Sequence, residues 1–352
     1  MKSKISILLL SIFSACSYAG QQHLINSLDK SFVENDKTHI PRVINGSTAN
    51  ISDFPYYAEL IITNTDIKNS PEDLSVFAHY CGSSILDREH ILTAAHCVED
   101  LDTETIKKQA VMINTDNHEN AKVSNVYPIE EVYIYGDYDP NLVSHDIAVI
   151  KLSKKLPSDV VNVSIPTDTE RNAYNDTVGN PEFTIVGFGY IDDFFTKPTT
   201  LQKAQLLNIG DYACETQVLN TYGITFVPEL QTCVLPKNLA VDTNTGSCNG
   251  DSGGPLSYFD NASGEYKQVA LTSFGHVESC SKEDAPQVFT EIKGYSKWIN
   301  AIVSDSPYNY IKIARNNSES ENNSGGSGDS GGSIPLFSLI SLGLISLFRK
   351  RK

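Results

Sequence analysis

Three short motifs in this chain carry side chains that together can perform acyl transfer. His96 lies in LTAAHC, Asp146 begins the apolar run DIAVIKL, and Ser252 lies in NGDSGGP. A serine hydroxyl becomes a nucleophile when a base removes its proton, and a histidine base needs a carboxylate that fixes its tautomer and stabilises the imidazolium. Each residue alone is commoner as a packed, capping or turn residue. The three together predict a serine nucleophile with its base and its orienting acid.

The glycines around the serine add a second catalytic feature. Gly250, Gly253 and Gly254 surround Ser252, and glycine permits positive φ and close approach of the backbone to a ligand. The loop can therefore expose the serine hydroxyl and direct the N–H groups of Gly250 and Ser252 at one point. Two such N–H groups form an oxyanion hole, which stabilises the tetrahedral intermediate.

Short β-rich runs must position these side chains. Runs such as YYAELII, HILTAAHC, EEVYIY, FTIVGFGY, LQKAQLLNI and QVFTEI recur between residues 44 and 303, with clusters of Asn, Asp, Gly and Pro between them. We predict no long amphipathic helix before the segment 295–303. Many short strands with one terminal helix indicate an all-β barrel or sandwich.

The order and spacing of the three motifs resemble those of the chymotrypsin/trypsin-like serine proteases. That family has His, Asp and Ser in this order within TAAHC, DIAL and GDSGGP motifs, and only Val149 departs from them here. The resemblance covers residues 43 to about 304. It implies two packed six-stranded antiparallel β-barrels with a C-terminal helix. It also implies a monomeric endopeptidase that acts on protein or peptide substrates through an acyl-enzyme.

Other functions compete with this one. A catalytically silent protease fold, kept as a binding module at the cell surface, is the alternative, although such proteins usually lose a triad member and all three are present. An esterase of α/β-hydrolase type needs Ser before Asp before His, which is not the order here. The formal net charge of −16, from 27 Lys and Arg against 43 Asp and Glu, argues against nucleic-acid binding, which needs clustered cations.

The resemblance also assigns a zymogen junction. Arg42 is followed by Val43-Ile-Asn-Gly, and cleavage after Arg42 would free the Val43 ammonium to pair with Asp251, next to the nucleophile. Residues 20–42 would then be a propeptide, and the protease domain would cover 43–305.

The residues that the resemblance places in the primary specificity pocket depart from the trypsin pattern. Gly246 stands where trypsin-like members have Asp, and Gln287 stands where the family has Gly. Because an amide cannot neutralise a guanidinium as a carboxylate does, we expect no strict preference for Arg or Lys, and acceptance of small or neutral polar side chains. Cleavage after Arg42 would then need a separate, trypsin-like activating protease.

Three further pocket residues follow from the family pattern Ser-Trp-Gly, which is Ser273-Phe274-Gly275 here. Ser273 is expected beside the buried aspartate and Gly275 beside the substrate backbone, with Phe274 as an aromatic wall. The alignment before Gln287 is loose, so Glu283 or Asp284 could instead supply an acidic pocket.

Six of the seven cysteines remain once Cys16 is assigned to a signal peptide. An even number in an exported chain favours three disulfides, and the sequence alone allows fifteen pairings. The family resemblance implies Cys81–Cys97, Cys214–Cys233 and Cys248–Cys280. No CxxC pair or Cys-His cluster of zinc-ligand spacing exists, so no metal cofactor is predicted. Calcium is a minor alternative, because Asp116 and Glu119 stand near the family's calcium loop without reproducing a ligand set.

The sequence predicts a targeting segment at each end of the chain. Lys2 and Lys4 precede an uncharged run and small residues before Gly20, which predicts a signal peptide over 1–19, with lipidation of Cys16 as an alternative. A polar Gly/Ser linker is predicted over 306–333. Residues 334–352 form a short hydrophobic segment with a basic end.

This tail resembles the Gly-Gly C-terminal sorting tails of secreted Gram-negative proteins. In those proteins a rhomboid-type protease cuts the tail, often after type II secretion. We therefore expect export across the inner membrane, followed by release or attachment at the cell surface. The formal charge is +2 over 1–42, −21 over 43–305 and +3 over 306–352, so the predicted domain carries the negative charge.

Overall fold

The computed structural model describes residues 46–69, 77–175, 182–192, 194–236, 245–275 and 285–315. Most of the regular secondary structure in this part of the chain is antiparallel strand. The strands are β1 Ser47–Thr48, β2 Tyr57–Thr63, β3 Phe77–Ile85, β4 His90–Thr93, β5 Gln109–Ile113, β6 Val126–Tyr135, β7 Ala148–Leu152, β8 Glu182–Gly187, β9 Gln202–Asn208, β10 Gln231–Pro236, β11 Pro255–Asp260, β12 Glu265–Phe274, β13 Gln287–Glu291 and β14 Tyr310–Ala314. The α-helices are α1 Asp168–Asn175, α2 Asp211–Tyr222 and α3 Ser296–Val303.

Each of the two sheets closes into a barrel. The first barrel runs in the order β6-β5-β2-β3-β4-β7, and β7 pairs again with β6. The second runs β9-β10-β13-β12-β11-β8, and β8 pairs again with β9. β1 adds to β9 outside the closed ring, and β14 adds to β6 in the same way. The predicted pair of six-stranded antiparallel barrels with a C-terminal helix is confirmed.

The burial of the strands shows where the barrels meet. β9 alternates between covered and more accessible residues, as expected of a strand with one face towards the core. β2 is buried along its whole length, and Tyr57 at its start packs against Phe188 of the second barrel. Register shifts at Leu60/Ile61 and at Ile129/Glu131 bend their strands, as barrel closure requires.

Two helices, α1 and α2, were not predicted from the sequence. α2 buries Cys214 and Val218, which are one turn apart, and most of its other side chains are at least partly exposed, so its apolar stripe is too narrow to stand out. Gly223 ends α2 with a φ of 69° in the left-handed region, where glycine carries no steric penalty. α1 is short and polar. Neither helix interrupts a barrel.

The chain after the C-terminal helix is part of the fold. Trp298 and Ile302 of α3 pack in one cluster with Val149 of the first barrel, and the chain then continues into β14, where Tyr310 pairs with Tyr135. Arg315 is 4% exposed. Residues 310–315 therefore belong to the folded body, and the linker predicted over 306–333 began too early, because a short edge strand carries no signal until its partner is known.

Several predictions fall on residues outside the described ranges. They concern the signal peptide and propeptide, the Arg42–Val43 junction, Cys280 and the tail at 334–352. The disulfides Cys81–Cys97 and Cys214–Cys233 are formed as expected. Cys248 is also disulfide-bonded. In the described ranges, no helix is long and apolar enough to cross a membrane.

Candidate active site

His96 lies where the first barrel turns from a strand into a short helix. β4 ends at Thr93, and a 3-10 helix covers Ala95–Cys97. Ala94 and Ala95 are fully buried, so these small side chains let the turn lie directly on the core. The disulfide from Cys97 to Cys81 ties the turn to β3. The His96 side chain keeps 26% of its surface exposed, as a group that meets substrate must.

Asp146 is completely buried and orients this histidine. Its Oδ2 lies 2.8 Å from Nδ1 of His96, and its Oδ1 accepts a hydrogen bond of 2.9 Å from the His96 backbone N–H. Ser273 Oγ donates a third hydrogen bond, of 2.6 Å, to Oδ2. These contacts fix the imidazole with the proton on Nδ1, which leaves the lone pair of Nε2 available to accept a proton.

The same contacts set the protonation of the pair. Burial by itself raises the pKa of Asp146, but His96, Ser273 and the backbone N–H together hold that pKa below its ordinary value. Burial lowers the pKa of His96, yet the neighbouring carboxylate outweighs it and raises that pKa overall. The site therefore holds an ionised acid beside a histidine of increased basicity.

Ser252 lies on a tight turn that both barrels hold. Its carbonyl accepts a hydrogen bond of 2.8 Å from Gly82 of the first barrel, and the next N–H, of Gly253, donates to Thr272 of the second at 2.8 Å. Gly253 has a φ of 73°, and a Cβ there would lie 2.2 Å from Thr93 Oγ1. Glycine is therefore required beside the serine, as the motif predicts.

The contact between Ser252 and His96 that the sequence predicts is not closed in this structure. Within the described residues no hydrogen bond joins Ser252 Oγ to His96, whose Nε2 lies 3.8 Å from Cys97 Sγ. Catalytic hydrogen bonds are often long in unliganded enzymes and shorten when substrate binds. The structure thus brings His96, Asp146 and Ser273 into contact and places the Ser252 turn between the two barrels.

Gly250 begins the turn with a φ of 104°, again in the region that favours glycine. A Cβ on Gly250 would lie 3.0 Å from Gly189 Cα. Its carbonyl accepts a hydrogen bond of 2.8 Å from Nε2 of His79, a residue that the motifs did not indicate.

Asp251 is a buried carboxylate with an unusual environment. It is 2% exposed, and its two oxygens accept hydrogen bonds from the N–H groups of Gly189, at 2.8 Å, and Cys248, at 2.9 Å. Burial raises its pKa to about 6. A Cβ on Gly187 or Gly189 would come within 2.3 Å of an Asp251 oxygen, so these glycines make the space that the carboxylate fills.

The floor of the predicted specificity pocket is occupied by an amide. Gln287 is 4% exposed, and its Oε1 accepts hydrogen bonds from the N–H and the hydroxyl of Ser247 at 2.9 and 3.1 Å. A Cβ added to Gly246 would lie 2.1 Å from Gln287 Nε2. Phe274 packs edge-on against Tyr222, and a Cβ on Gly275 would lie 3.6 Å from Gln287 Cγ. Glu283 and Asp284 lie outside the described residues.

Two side chains of the segment predicted as a calcium loop have contacts within the protein. Asp116 Oδ2 lies 3.4 Å from the N–H of Ile51, while the neighbouring His118 turns inward onto the buried Glu59. In the described part of the chain, the only cluster of three potential metal donors is Cys81, His96 and Cys97. Its two sulfurs are joined in a disulfide and are not free thiolates.

Comparison with known proteins agrees with this geometry. The family model described as Trypsin matches residues 43–299. A trypsin-like protease of Streptomyces glaucescens is 30% identical over 258 residues, which cover 73% of this chain and 80% of the relative. Trypsin iota of Drosophila melanogaster is 29% identical over 236 residues, 66% of this chain and 83% of the relative. The chain therefore belongs to the trypsin family and is a serine endopeptidase.

Proposed function

We propose that His96, Asp146 and Ser252 form the catalytic triad of this endopeptidase. His96 Nε2 takes the proton from Ser252 Oγ as the oxygen bonds to the scissile carbonyl carbon, and the N–H groups of Gly250 and Ser252 hold the oxyanion. The proton then passes to the leaving amine as the C–N bond breaks. Water, deprotonated by His96, then bonds to the acyl carbon, the bond from that carbon to Ser252 Oγ breaks, and His96 returns the proton to Oγ as the acid leaves. The observation that carries this proposal is the buried Asp146 carboxylate bound to both Nδ1 and the backbone N–H of His96.

A serine-directed fluorophosphonate tests this assignment. The folded protein, cleaved after Arg42, should be labelled at Ser252, and Ser252→Ala should abolish the label. A folded and cleaved sample that takes no label would contradict the triad and favour the alternative, a catalytically silent binding module.

Activation by cleavage after Arg42 belongs to the same proposal. Asp251 adjoins the nucleophile, is buried, and has two backbone N–H donors but a raised pKa, which marks it as a carboxylate that gains from a cation. The ammonium of Val43 would supply that charge and order the oxyanion loop. Processing the chain with a trypsin-like protease should give a new N-terminus at Val43 and a large gain in peptidase activity. Activity that is equal before and after this cleavage would contradict the zymogen.

The proposed specificity is for small or neutral polar side chains. The amide of Gln287 fills space beside Gly246, and no described residue of the pocket floor carries a charge that pairs with a guanidinium. Alanyl and glutaminyl peptide substrates should therefore be cleaved at least as fast as arginyl ones. A Ser252→Ala chain should still be cut after Arg42 in cells, since a separate protease acts there. Strict dependence of this cut on Ser252 would refute the last point.

Export and tail processing complete the proposal. The signal-like segment 1–19 and the Gly-Gly tail support secretion through a type II system, with removal of the tail by a rhomboid-type protease and release or attachment at the cell surface. Mass spectrometry of both ends of the mature protein tests this. We expect an N-terminus at Val43 and loss of the segment 334–352, and an intact tail would contradict the sorting proposal.

A further inference from the structure

A buried carboxylate outside the triad connects to the oxyanion loop. Glu59 on β2 is 1% exposed. Its Oε2 lies 3.0 Å from Nδ1 of His79, on β3, and 2.9 Å from Nε2 of His118. A buried charge is stable only with such partners. Burial raises the pKa of Glu59, but the two imidazoles hold it below its ordinary value.

His79 links the Glu59 carboxylate to the turn that contains Gly250. Its Nε2 lies 2.8 Å from the carbonyl oxygen of Gly250, and because a carbonyl only accepts, Nε2 carries a proton. Its Nδ1 faces the Glu59 carboxylate at ion-pair distance, although the N–H is not aligned for a hydrogen bond. The two ring nitrogens of His79 therefore face two acceptors, the Gly250 carbonyl and the Glu59 carboxylate.

The other imidazole is fixed by the second barrel. The ring of His118 stacks on Phe188, with centroids 4.0 Å apart. The backbone N–H of His118 donates to the Thr199 carbonyl at 2.8 Å, and the Asp116 carbonyl accepts from Leu201 at 2.8 Å. The loop that carries His118 is therefore held in place independently of Glu59.

Gly250 needs an external constraint because glycine has wide backbone freedom. In the peptide group before Gly250, which contains the Gly250 N–H, the Asn249 carbonyl accepts a hydrogen bond of 3.0 Å from the N–H of Tyr190. In the peptide group after Gly250, the Gly250 carbonyl accepts a hydrogen bond from His79. With both carbonyls held, the direction of the Gly250 N–H is fixed.

We propose that Glu59 is a positioning residue for catalysis: through His79 it fixes the Gly250 carbonyl, and with it the oxyanion-binding N–H. His118 keeps the carboxylate in place. The inference rests on the proposed oxyanion hole at Gly250.

The test is Glu59→Gln in the activated enzyme, with kcat, KM and Tm measured together. Loss of one oxyanion donor lowers kcat by about 10² to 10³, so a misdirected donor should lower it by about tenfold or more, with KM within about threefold. Binding of a peptide boronate, whose tetrahedral adduct uses the same hole, should weaken in parallel. Unchanged kcat would overturn the proposal.

Glu291→Gln is the matched control. Glu291 is also fully buried and is paired with Arg171 at 3.3 Å, so its loss should lower Tm without the selective fall in kcat. Equal falls in kcat for the two variants would assign a merely structural role to Glu59. If Glu59→Gln does not fold, His118→Asn is the substitute, because His118 is 18% exposed, and it should lower kcat in the same way.

Gly250→Ala separates the two proposals. It should abolish activity if the oxyanion hole lies at Gly250, because a Cβ would lie 3.0 Å from Gly189 Cα and φ is positive. Full activity of Gly250→Ala would refute the oxyanion hole itself. An inactive Gly250→Ala with a fully active Glu59→Gln would refute only the role of Glu59.

Discussion

At the scale of single residues, the proposed chemistry depends on the contact between Asp146 and His96. The carboxylate binds the ring nitrogen and the backbone N–H of the same histidine, and Ser273 binds one of its oxygens. An amide at position 146 keeps one acceptor oxygen but has no charge, and its NH₂ group cannot accept from an N–H. The imidazolium that forms during proton transfer then has no compensating charge.

Asp146→Asn should therefore lower kcat by roughly 10³- to 10⁴-fold. The pKa of His96 is raised by Asp146, and kcat/KM requires the neutral imidazole. The acidic limb of the kcat/KM profile should thus move to lower pH in the variant, although the maximum rate falls. The exposed Asp159→Asn is the control and should leave both unchanged. An acidic limb at the same pH in Asp146→Asn would contradict the effect of Asp146 on the pKa of His96.

The pocket supplies the second residue-scale prediction. Gln287→Gly should open the floor and raise kcat/KM for phenylalanyl over alanyl substrates by roughly tenfold or more. Gly246→Asp alone should not create a site for arginine, because its Cβ would meet Gln287 Nε2 at 2.1 Å. The double variant Gln287→Gly with Gly246→Asp has both an open pocket floor and a carboxylate, so it should cleave after arginine. Gain of this activity by Gly246→Asp alone would show that Gln287 does not fill the pocket.

The sequence indicated the catalytic motifs and, through the family pattern, Ser273 beside the buried aspartate, but it did not indicate Glu59 or His79. His96, Asp146 and the glycines around Ser252 are recognisable because their types and order serve one reaction. Glu59 and His79 are ordinary strand residues: Glu59 lies in an apolar run, and His79 lies two residues before Cys81. Their relation appears only when β2 and β3 pair and the turn of Gly250 packs onto them.

At the scale of elements, the same contrast applies to the strands. Apolar runs predicted the barrel strands because each has a face that must be buried. β14 carries three aliphatic residues, Ile311, Ile313 and Ala314, and Ile311 is exposed. The strand forms because β6 extends beyond β5 and offers an unpaired edge. The local sequence has no information on that edge.

The folded role of β14 gives the element-scale prediction. A chain that ends at Asp305 loses the five strand residues and the Arg315 contacts to Ile129 and Asp66. We expect a loss on the order of 3 kcal/mol, or a Tm lower by roughly 6–12 °C. A chain that ends at Arg315 should have the same Tm as the full-length protein when thermal unfolding is followed by circular dichroism. Equal Tm for the two shortened chains would contradict this.

At the scale of the whole molecule, the site exists only when the barrels associate. Asp146 of the first barrel is bound by Ser273 of the second, and Thr290 Oγ1 donates to its carbonyl at 3.0 Å. Ser252 of the second barrel is in turn held by Gly82 of the first. A change that orders the Ser252 turn therefore acts on the association of the barrels, and stability and activation are linked.

That link can be measured through Asp251. Its pKa of about 6 in the folded chain lies above the usual value of 3.8, so the folded state keeps this proton to higher pH than the unfolded state does. The single chain should therefore lose stability at this group as pH rises from about 4 to 7, by roughly 3 kcal/mol. Pairing with the Val43 ammonium, which stays charged in this range, lowers the Asp251 pKa and removes the loss.

The comparison uses the Ser252→Ala protein, uncut and cut after Arg42, with the free energy of unfolding measured in urea at pH 4 and pH 7. Side-chain titrations after Val43 are common to the two forms, and the cut form adds only the Val43 ammonium and the Arg42 carboxylate. The stability gained by cleavage should be larger at pH 7 than at pH 4 by roughly 3 kcal/mol. A gain that does not change with pH would mean that Val43 and Asp251 do not pair, and the activation proposal would fail with it.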